Sequence, residues 1–333
     1  MLNLSWSKNL LRPAIALVFL YLLVLKGPFQ PQQISFILSQ KKLMVLGTLL
    51  VLFQFLLASL RWKKIIEMRT SISLIHSFQL TLIGQFFSFF IPGGVSGDVV
   101  KALELSKLKS LKKSECFATV ISDRVLGLFS MVLFSTLFLI IEFANTKSPS
   151  LLKYLFFSSL LLFFIFSVFG FGLKIIEKVS KLFPNKDGLF FKIFASGLTT
   201  LNLSFMNFLN KKIIFSTVLI SLSIQLISTY FMMEVITTLN VPLPSYFLFF
   251  ALSCFGFLAS ALPITPAGIG IGQAVFYYLF ADISPDLGRS AVTAISVLQL
   301  FFLAYAVVGG IIFATKPFSK IKEKQLNDYK STT

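Results

Sequence analysis

Four charged side chains interrupt apolar stretches in the first half of the chain. Asp98 and Lys101 follow a glycine-rich turn, and Asp123 and Arg124 stand side by side inside a later apolar run. Ionisable groups are costly to bury in apolar surroundings, so each is a candidate for function. A guanidinium can bind phosphate or carboxylate through two hydrogen bonds, and backbone N–H groups at the start of a helix attract anions. These residues therefore indicate a site for an anionic ligand.

Each of these residues also has a structural interpretation. Asp98 is suited to cap the helix that follows the glycines, because its carboxylate can accept hydrogen bonds from unpaired N–H groups there. Neighbouring residues on a helix point about 100° apart, so Asp123 and Arg124 are poorly placed to satisfy each other. We expect Arg124 to reach Asp98 or a ligand phosphate, or to form a buried structural pair with an acidic residue.

Two stretches rich in glycine and proline break the apolar pattern, one in each half. Their candidate site residues are Gly93, Gly94 and Gly97 in the first, and Thr265, Gly268, Gly270 and Gln273 in the second. Broken backbone at membrane depth is tolerated only where protein covers it or where it lines a watery cavity. Interrupted helices in both halves are typical of a transporter site near the middle of the bilayer. Gln299, in the last apolar run, is a candidate for the same site.

Other kinds of site are not indicated by the sequence. It contains no Ser/His/Asp arrangement, paired carboxylates or metal-ligand spacing, and the second glycine run lacks the strand, lysine and acidic partner of a nucleotide-binding motif. Cys116 and Cys254 lie in apolar contexts, which is typical of small core residues. We expect a protein that is not an enzyme and that uses neither a metal nor a cofactor.

The composition indicates the environment in which the chain folds. Of its 333 residues, 56% are hydrophobic and 13% are charged, a balance outside the usual range of soluble domains. The net charge of +17 comes from basic residues in short segments between apolar runs, the pattern of loops held at an anionic cytoplasmic leaflet. The sequence predicts an all-α polytopic membrane protein and argues against nucleic-acid binding.

The basic segments also predict how the chain crosses the membrane. Segments 61–69 and 101–113 are both strongly basic, so we expect both on the cytoplasmic side. The chain between them must then enter and return, as a re-entrant hairpin at 72–107, and 245–281 forms a second hairpin from the opposite side. Each half reads helix, helix, re-entrant hairpin, helix, which makes an inverted repeat with six full crossings and two hairpins. Eight transmembrane helices, two of them kinked at proline, are the alternative.

This topology divides the chain into three parts. The first membrane repeat covers 1–143 and the second covers 144–314. The second includes a cytoplasmic connector at 177–211, which reads either as an interfacial amphipathic helix or as a linker helix between the halves. A basic tail follows at 315–333. We expect a bacterial cytoplasmic membrane with both termini on the cytoplasmic side.

Three elements of the chain resemble one membrane protein family. They are the segment 92–101, the group Asp123-Arg124 with Gly127, and the segment 263–272. In order and type they are similar to the lysylphosphatidylglycerol synthase transmembrane (flippase-like) family. Members include the membrane half of the enzyme that aminoacylates phosphatidylglycerol and moves the product across the bilayer. The resemblance implies a stand-alone member that translocates a lipid and lacks the synthase domain.

The second half departs from the family pattern at three positions. Ala267 stands in place of a glycine, Gln273 in place of an acidic residue, and Gln299 in place of an arginine that is common in the last helix. Loss of an acid and a base together leaves a neutral, hydrogen-bonded pair at little cost. The family's usual headgroup preference therefore does not carry over directly to this chain.

Together these features predict a translocator that moves an anionic or phosphate-bearing lipid across the membrane. The expected partners are the membrane and a phospholipid or lipid-linked substrate. One alternative is a transporter of a small soluble anion or an ion-coupled substrate. Another is a non-transporting scaffold whose partner is an envelope enzyme such as a glycosyltransferase.

Overall fold

The computed structural model of the protein describes residues 30–90, 96–108, 111–170, 211–262 and 264–315. Every regular element within these ranges is helical. Several predicted features lie outside the described residues: residues 1–29 of the first repeat, Gly93 and Gly94 in the first break, the connector up to residue 210 and the tail from residue 316.

Ten α-helices occur in the described residues. They are α1 (Pro31–Ser39), α2 (Lys41–Ile66), α3 (Leu74–Phe90), α4 (Ser96–Leu108), α5 (Lys113–Thr146), α6 (Leu152–Gly170), α7 (Lys211–Thr238), α8 (Tyr246–Ser260), α9 (Ile271–Ala281) and α10 (Pro285–Thr315). Short 3-10 turns, Pro149–Leu151 and Pro266–Gly268, precede α6 and α9. The apolar runs predict these helices except α4, which is the charged helix expected after the first glycine break, and α1, whose nine residues are too few to form a recognisable run.

Helix length separates the long elements from those beside the breaks. Helices α2, α5, α7 and α10 are long and apolar enough to cross a membrane. Helices α3, α4, α8 and α9 have 17, 13, 15 and 11 residues. At roughly 1.5 Å per residue, α3 measures about 25 Å, which is less than the hydrocarbon core of about 30 Å. The polypeptide is therefore broken beside short helices and continuous through the long ones.

Helices α3 and α4 fold back on each other across the first break. Ser96 Oγ, at the start of α4, donates to the carbonyl of Phe87, near the end of α3, at 2.9 Å. Further from the break, Gly84 of α3 lies against Lys101 of α4. A Cβ on Gly97 would overlap the carbonyl oxygen of Gly84, so the glycine permits a close approach. The pair is an antiparallel helical hairpin.

Helices α8 and α9 form a second antiparallel hairpin. Ser260, the last residue of α8, packs against Gly272 at the start of α9. At the far end of the pair, the rings of Phe249 and Phe280 lie 4.8 Å apart between centroids. The two hairpins occupy corresponding places in the two halves of the chain.

The two halves interlock through corresponding elements. Helix α3 of the first hairpin packs along α10, and α8 of the second hairpin packs along α5. Helices α2 and α7, which precede the hairpins, pack on each other. Gln54 contacts Ser228 and Arg61 contacts Ser221, so residue numbers rise along α2 as they fall along α7. These two helices therefore run in opposite directions.

Apolar packing gathers the basic segments at one end of the bundle. A buried cluster joins Ile66 at the end of α2, Leu105 near the end of α4 and Cys116 near the start of α5. The described parts of 61–69 and 101–113 therefore lie at the same end, as the charge pattern predicts. Cys116 is also a buried free thiol, as expected.

The opposite end of the bundle is held by polar contacts. Ser245, which caps α8, donates to Glu142 near the end of α5. Asp282, in the loop between α9 and α10, accepts from Lys153 Nζ at 2.5 Å and from Tyr154 Oη at 2.9 Å. These hydrogen bonds lower the pKa of the Asp282 carboxyl, with Lys153 the larger cause. They connect the second hairpin to α5 and α6.

Candidate functional site

Two arginine–aspartate pairs lie beside the first break. Arg61 of α2 binds Asp123 of α5 through two hydrogen bonds, Nε to Oδ1 at 2.8 Å and Nη2 to Oδ2 at 3.2 Å. Arg124 Nε, also on α5, donates to Asp98 Oδ2 on α4 at 2.6 Å. Asp123 and Arg124 thus take different partners, as their angular separation on the helix requires. The expected contact between Arg124 and Asp98 is confirmed.

The interpretation of Asp98 as a helix cap is wrong. Helix α4 begins at Ser96, so Asp98 lies inside its first turn, and its carboxylate is engaged by Arg124. A negative charge in the first turn is still favourable, because it faces the positive end of the helix dipole. Asp98 therefore positions Arg124 while remaining compatible with the start of α4.

Arg61 is the member of this cluster that the sequence did not indicate. The charge pattern assigns it to the basic loop 61–69, whereas Arg61 lies inside α2, which continues beyond it. Its Nη1 also donates to Ser221 of α7 at 2.9 Å. A Cβ on Gly127 would lie 3.2 Å from that nitrogen, so the glycine leaves room for the guanidinium. In the sequence, the feature that could have indicated such a partner is Gly127, a residue without a side chain one turn after Asp123.

Lys101 adds a third cation to the cluster. Its side chain is buried, and its Nζ lies 4.1 Å above the ring of Trp62, in cation–π contact. It also interacts electrostatically with Asp123 and Asp98. With every group ionised, the three cations (Arg61, Lys101 and Arg124) outnumber the two anions (Asp98 and Asp123) by one charge. The excess is positive, which favours an anionic ligand nearby.

At the second break, Gln273 and Gln299 form the expected neutral pair. Gln273 Nε2 donates to Gln299 Oε1 at 2.6 Å, and both side chains are buried. Gln273 Oε1 accepts the N–H of Gly270 at 2.7 Å, which satisfies a donor at the start of α9. The pair ties the break to α10.

The backbone of the second break takes left-handed conformations. The φ angles are 48° at Ala267, 72° at Gly268 and 88° at Gly270. Glycine adopts such angles freely, whereas an alanine pays roughly 1 kcal/mol. A Cβ on Gly268 would in addition overlap the carbonyl oxygen of Ser260. The positive φ angle at Ala267 explains why the family usually has a glycine at this position.

A polar cavity of about 220 Å³ lies between the two halves, next to the second break. Its polar lining from the first half is Gln54, Gln85, Ser88 and Arg124. Its polar lining from the second half is Gln225, Ser228, Ser260, Thr265 and Gln299. Among the described residues of the wall, Arg124 is the one charged side chain. Both halves therefore contribute hydrogen-bonding groups to one cavity.

Apolar grooves adjoin this cavity on two sides. The larger, of about 820 Å³, lies between α5, α6, α8 and α9, and Leu262 lines both it and the polar cavity. Lys153 and Tyr154 also line the larger groove. A smaller groove, of about 330 Å³, shares Gln299 with the cavity and includes Gln273. A molecule with a polar head and apolar chains could therefore occupy the cavity and a groove together.

Comparison with known proteins places the sequence in a family. Residues 9–312 match the family model described as the lysylphosphatidylglycerol synthase TM region. The chain belongs to this family. Over 147 residues it is also 34% identical to the UPF0104 membrane protein MJ1595 of Methanocaldococcus jannaschii, an alignment that covers 41% of this chain and 43% of that protein. The chain thus spans less than half the length of this relative.

Membership in the lysylphosphatidylglycerol synthase TM family confirms the resemblance drawn from the three sequence elements and shows a membrane protein. Four of the predicted site residues line the cavity: Arg124, Thr265, Gly268 and Gln299. The other described site residues do not line the cavity but contact residues that do, or lie close to them. Asp98 binds Arg124, and Asp123 and Lys101 belong to the same charged cluster. Gly97 lies at the contact between α3 and α4, and Gln273 binds both Gln299 and the N–H of Gly270.

Six polar residues of the cavity wall were not predicted, and Gln54 and Gln225 are the two whose positions are most telling. Gln54 lies near the middle of α2 and Gln225 near the middle of α7. Gln54 Nε2 donates to Ser228 Oγ at 2.5 Å across the two helices. A single uncharged polar residue in an apolar run is only a weak sign of a binding site. Gln54 and Gln225 differ from other such residues because each lies at the centre of a run long enough to cross a membrane.

Proposed function

We propose that this protein moves an anionic or phosphate-bearing lipid across the cytoplasmic membrane. The observation that carries the proposal is the polar cavity between the halves, with Arg124 in its wall and an apolar groove beside it that shares the lining residue Leu262. A lipid headgroup needs polar partners while it crosses, and its acyl chains need apolar surroundings throughout. The cavity and the groove supply the two environments side by side.

The charged cluster supports an anionic headgroup. Arg124 uses Nε for Asp98, and a guanidinium has five N–H donors, so its remaining donors are suited to a phosphate. Bidentate contacts between a guanidinium and a phosphate are among the stronger hydrogen bonds in proteins. When Lys101 is ionised, the excess of one positive charge in the cluster acts in the same direction.

The interlocked halves support alternating access. We extend the proposal to an inverted repeat, in which the two hairpins are re-entrant and one half rocks against the other around the cavity. The antiparallel packing of α2 against α7 and the exchange of hairpins between the halves favour this arrangement. In this proposal the basic end of the bundle faces the cytoplasm, and both termini are also cytoplasmic.

A translocation assay on purified protein tests the proposal. Proteoliposomes carry phosphatidylglycerol with a fluorescent acyl chain, and dithionite reports how fast the labelled lipid reaches the outer leaflet. We expect Arg124→Gln to slow the movement roughly tenfold or more, since a hydrogen bond to a charged group contributes about 1.5–3 kcal/mol. The double variant Asp98→Asn/Arg124→Gln removes the pair without leaving an unpaired carboxylate, and should be equally slow.

Arg289→Gln is the matched control for this assay. Arg289 has a similarly exposed side chain, at 41% against 44% for Arg124, and pairs with Asp286 outside the cavity. Its replacement should leave lipid movement unchanged. Unchanged movement in folded Arg124→Gln would contradict the role of Arg124. Uptake of a radiolabelled soluble anion without any lipid movement would replace the lipid translocator with the solute transporter.

A further inference from the structure

The cavity is chemically neutral apart from one guanidinium. Its polar wall consists of carboxamides and hydroxyls, and none of its described residues is acidic. The two carboxylates of the adjacent cluster, Asp98 and Asp123, are each bound by an arginine. A cationic group in the cavity would therefore meet Arg124 and no carboxylate, which is unfavourable at low dielectric.

Two buried polar atoms of the wall have no hydrogen-bond partner in the described part of the chain. They are Thr265 Oγ1 and Gln54 Oε1, on side chains that are 1% and 8% exposed. Gln54 is oriented by the bond from its Nε2 to Ser228, so its oxygen is left as an acceptor. A buried unpaired polar atom costs about 1–3 kcal/mol, so such atoms mark positions that a ligand group or a water satisfies.

We propose that the cavity selects a polyol phosphate: a hydroxyl-bearing headgroup of the glycerol, inositol or sugar type, joined through one phosphate. This inference rests on the proposed function and names the substrate class of the same site. Hydroxyl groups both donate and accept, so they match the glutamine and threonine groups of the wall. The single phosphate matches Arg124. Headgroups that carry an ammonium, such as ethanolamine or an aminoacyl ester, are rejected because no carboxylate receives them.

Headgroup selectivity in binding tests this inference separately from transport. Short-chain phosphatidylglycerol, phosphatidylinositol, phosphatidylethanolamine and lysyl-phosphatidylglycerol are titrated onto the purified protein in detergent, and the shift in thermal unfolding gives apparent affinities. We expect the two polyol lipids to bind at least tenfold more tightly than the two lipids with ammonium groups. Equal affinities, or tighter binding of lysyl-phosphatidylglycerol, would overturn the inference.

Two threonine variants show whether the cavity hydroxyl acts on the ligand or on folding. Thr229 is a buried threonine, 1% exposed, whose Oγ1 also lacks a partner among the described residues but which does not line the cavity. Thr265→Val should weaken phosphatidylglycerol binding about three- to tenfold, and Thr229→Val should not change it. Gln54→Met provides the same comparison if Thr265→Val folds poorly. Equal binding by Thr265→Val and Gln54→Met to that of the wild type would overturn the inference.

Soluble probes distinguish a lipid from a free polyol phosphate. Glycerol 3-phosphate and phosphoethanolamine are tested as ligands and as radiolabelled solutes in proteoliposomes. Uptake of glycerol 3-phosphate without lipid movement would keep the polyol selectivity and overturn the lipid translocator. Lipid movement without preference among the four headgroups would keep the translocator and overturn the selectivity.

Discussion

At the scale of single residues, burial separates the two ion pairs by role. The side chains of Arg61 and Asp123 are 14% and 11% exposed, whereas that of Arg124 is 44% exposed. Arg61 also reaches Ser221, so it joins three helices. The more buried pair therefore holds the bundle together, and the more exposed arginine is the one available to a ligand.

The buried pair should matter for stability more than for transport. Arg61→Gln leaves Asp123 without its bidentate partner, which typically costs about 3–5 kcal/mol for a buried charge. The double variant Arg61→Gln/Asp123→Asn should recover most of that loss, because no uncompensated charge remains. The free energy of unfolding of each variant in detergent measures the effect.

Lys63→Gln is the control for this series. Lys63, in the last turn of α2, pairs at the surface with Glu67, the residue that follows the helix, and surface pairs contribute about 0–1 kcal/mol. If Arg61→Gln destabilises the protein no more than Lys63→Gln does, the structural role of the buried pair is wrong.

Some of these contacts were predictable from the sequence, because polar and charged residues are easily recognised within apolar runs. Arg124 with Asp98, and Gln273 with Gln299, were expected to meet and do so. The role of Arg61 was not predictable, because it lies close to two lysines at the end of an apolar run, where basic residues are common. Its role depends on a partner 62 positions away, which only the packing of α2 on α5 reveals.

At the scale of elements, glycines set how closely helices approach. A Cβ on Gly97 would overlap the backbone oxygen of Gly84, and one on Gly309 would overlap that of Leu82. The first contact joins α4 to α3, and the second joins α10 to α3. Small residues at such crossings are typical of helix packing in membranes. Close backbone contacts therefore hold the two helices of the first hairpin together and fix the hairpin to the other half.

Alanine substitutions show whether a glycine packs against a backbone, which cannot move locally, or against a side chain, which can. Gly97→Ala forces α3 and α4 apart, since neither backbone can yield locally, and should destabilise the protein by about 1–3 kcal/mol. Gly310→Ala is the control, because its Cβ would meet the ring of Phe86, which can turn aside. Unfolding in detergent should show a clearly smaller effect for Gly310→Ala, and equal effects would contradict the close packing of the hairpin.

The positions of the elements were more predictable than their partners. Proline and glycine marked both breaks, because an apolar helix cannot continue through them. The exchange of hairpins between halves was not predictable, since it depends on distant contacts such as the bond from Ser135 Oγ to the carbonyl of Ala251 at 3.0 Å. Helix α1 was also unexpected, and its Gln33 accepts a hydrogen bond from Thr293 of α10.

At the scale of the whole molecule, polar groups from both halves meet where four long helices pass one another. Gln54 and Gln225 lie near the middles of α2 and α7, and Gln299 lies near the middle of α10. The placement of both basic segments at one end was predictable from charge alone, because the positive-inside pattern is a property of the whole chain. The cavity was not predictable from the sequence, since it forms only when the two halves pack together.

A cross-linking experiment from inside the cavity tests most directly whether a lipid enters it. Benzoylphenylalanine replaces either Gln225 or Phe231, both on α7 and 4% and 1% exposed. Gln225 lines the cavity, whereas Phe231 packs against Phe301 in the apolar core, with centroids 5.5 Å apart. Each variant is irradiated in membranes and analysed by mass spectrometry. We expect a phospholipid adduct at position 225 and none at 231. Equal capture at the two positions, or no lipid at 225, would contradict a lipid site between the halves.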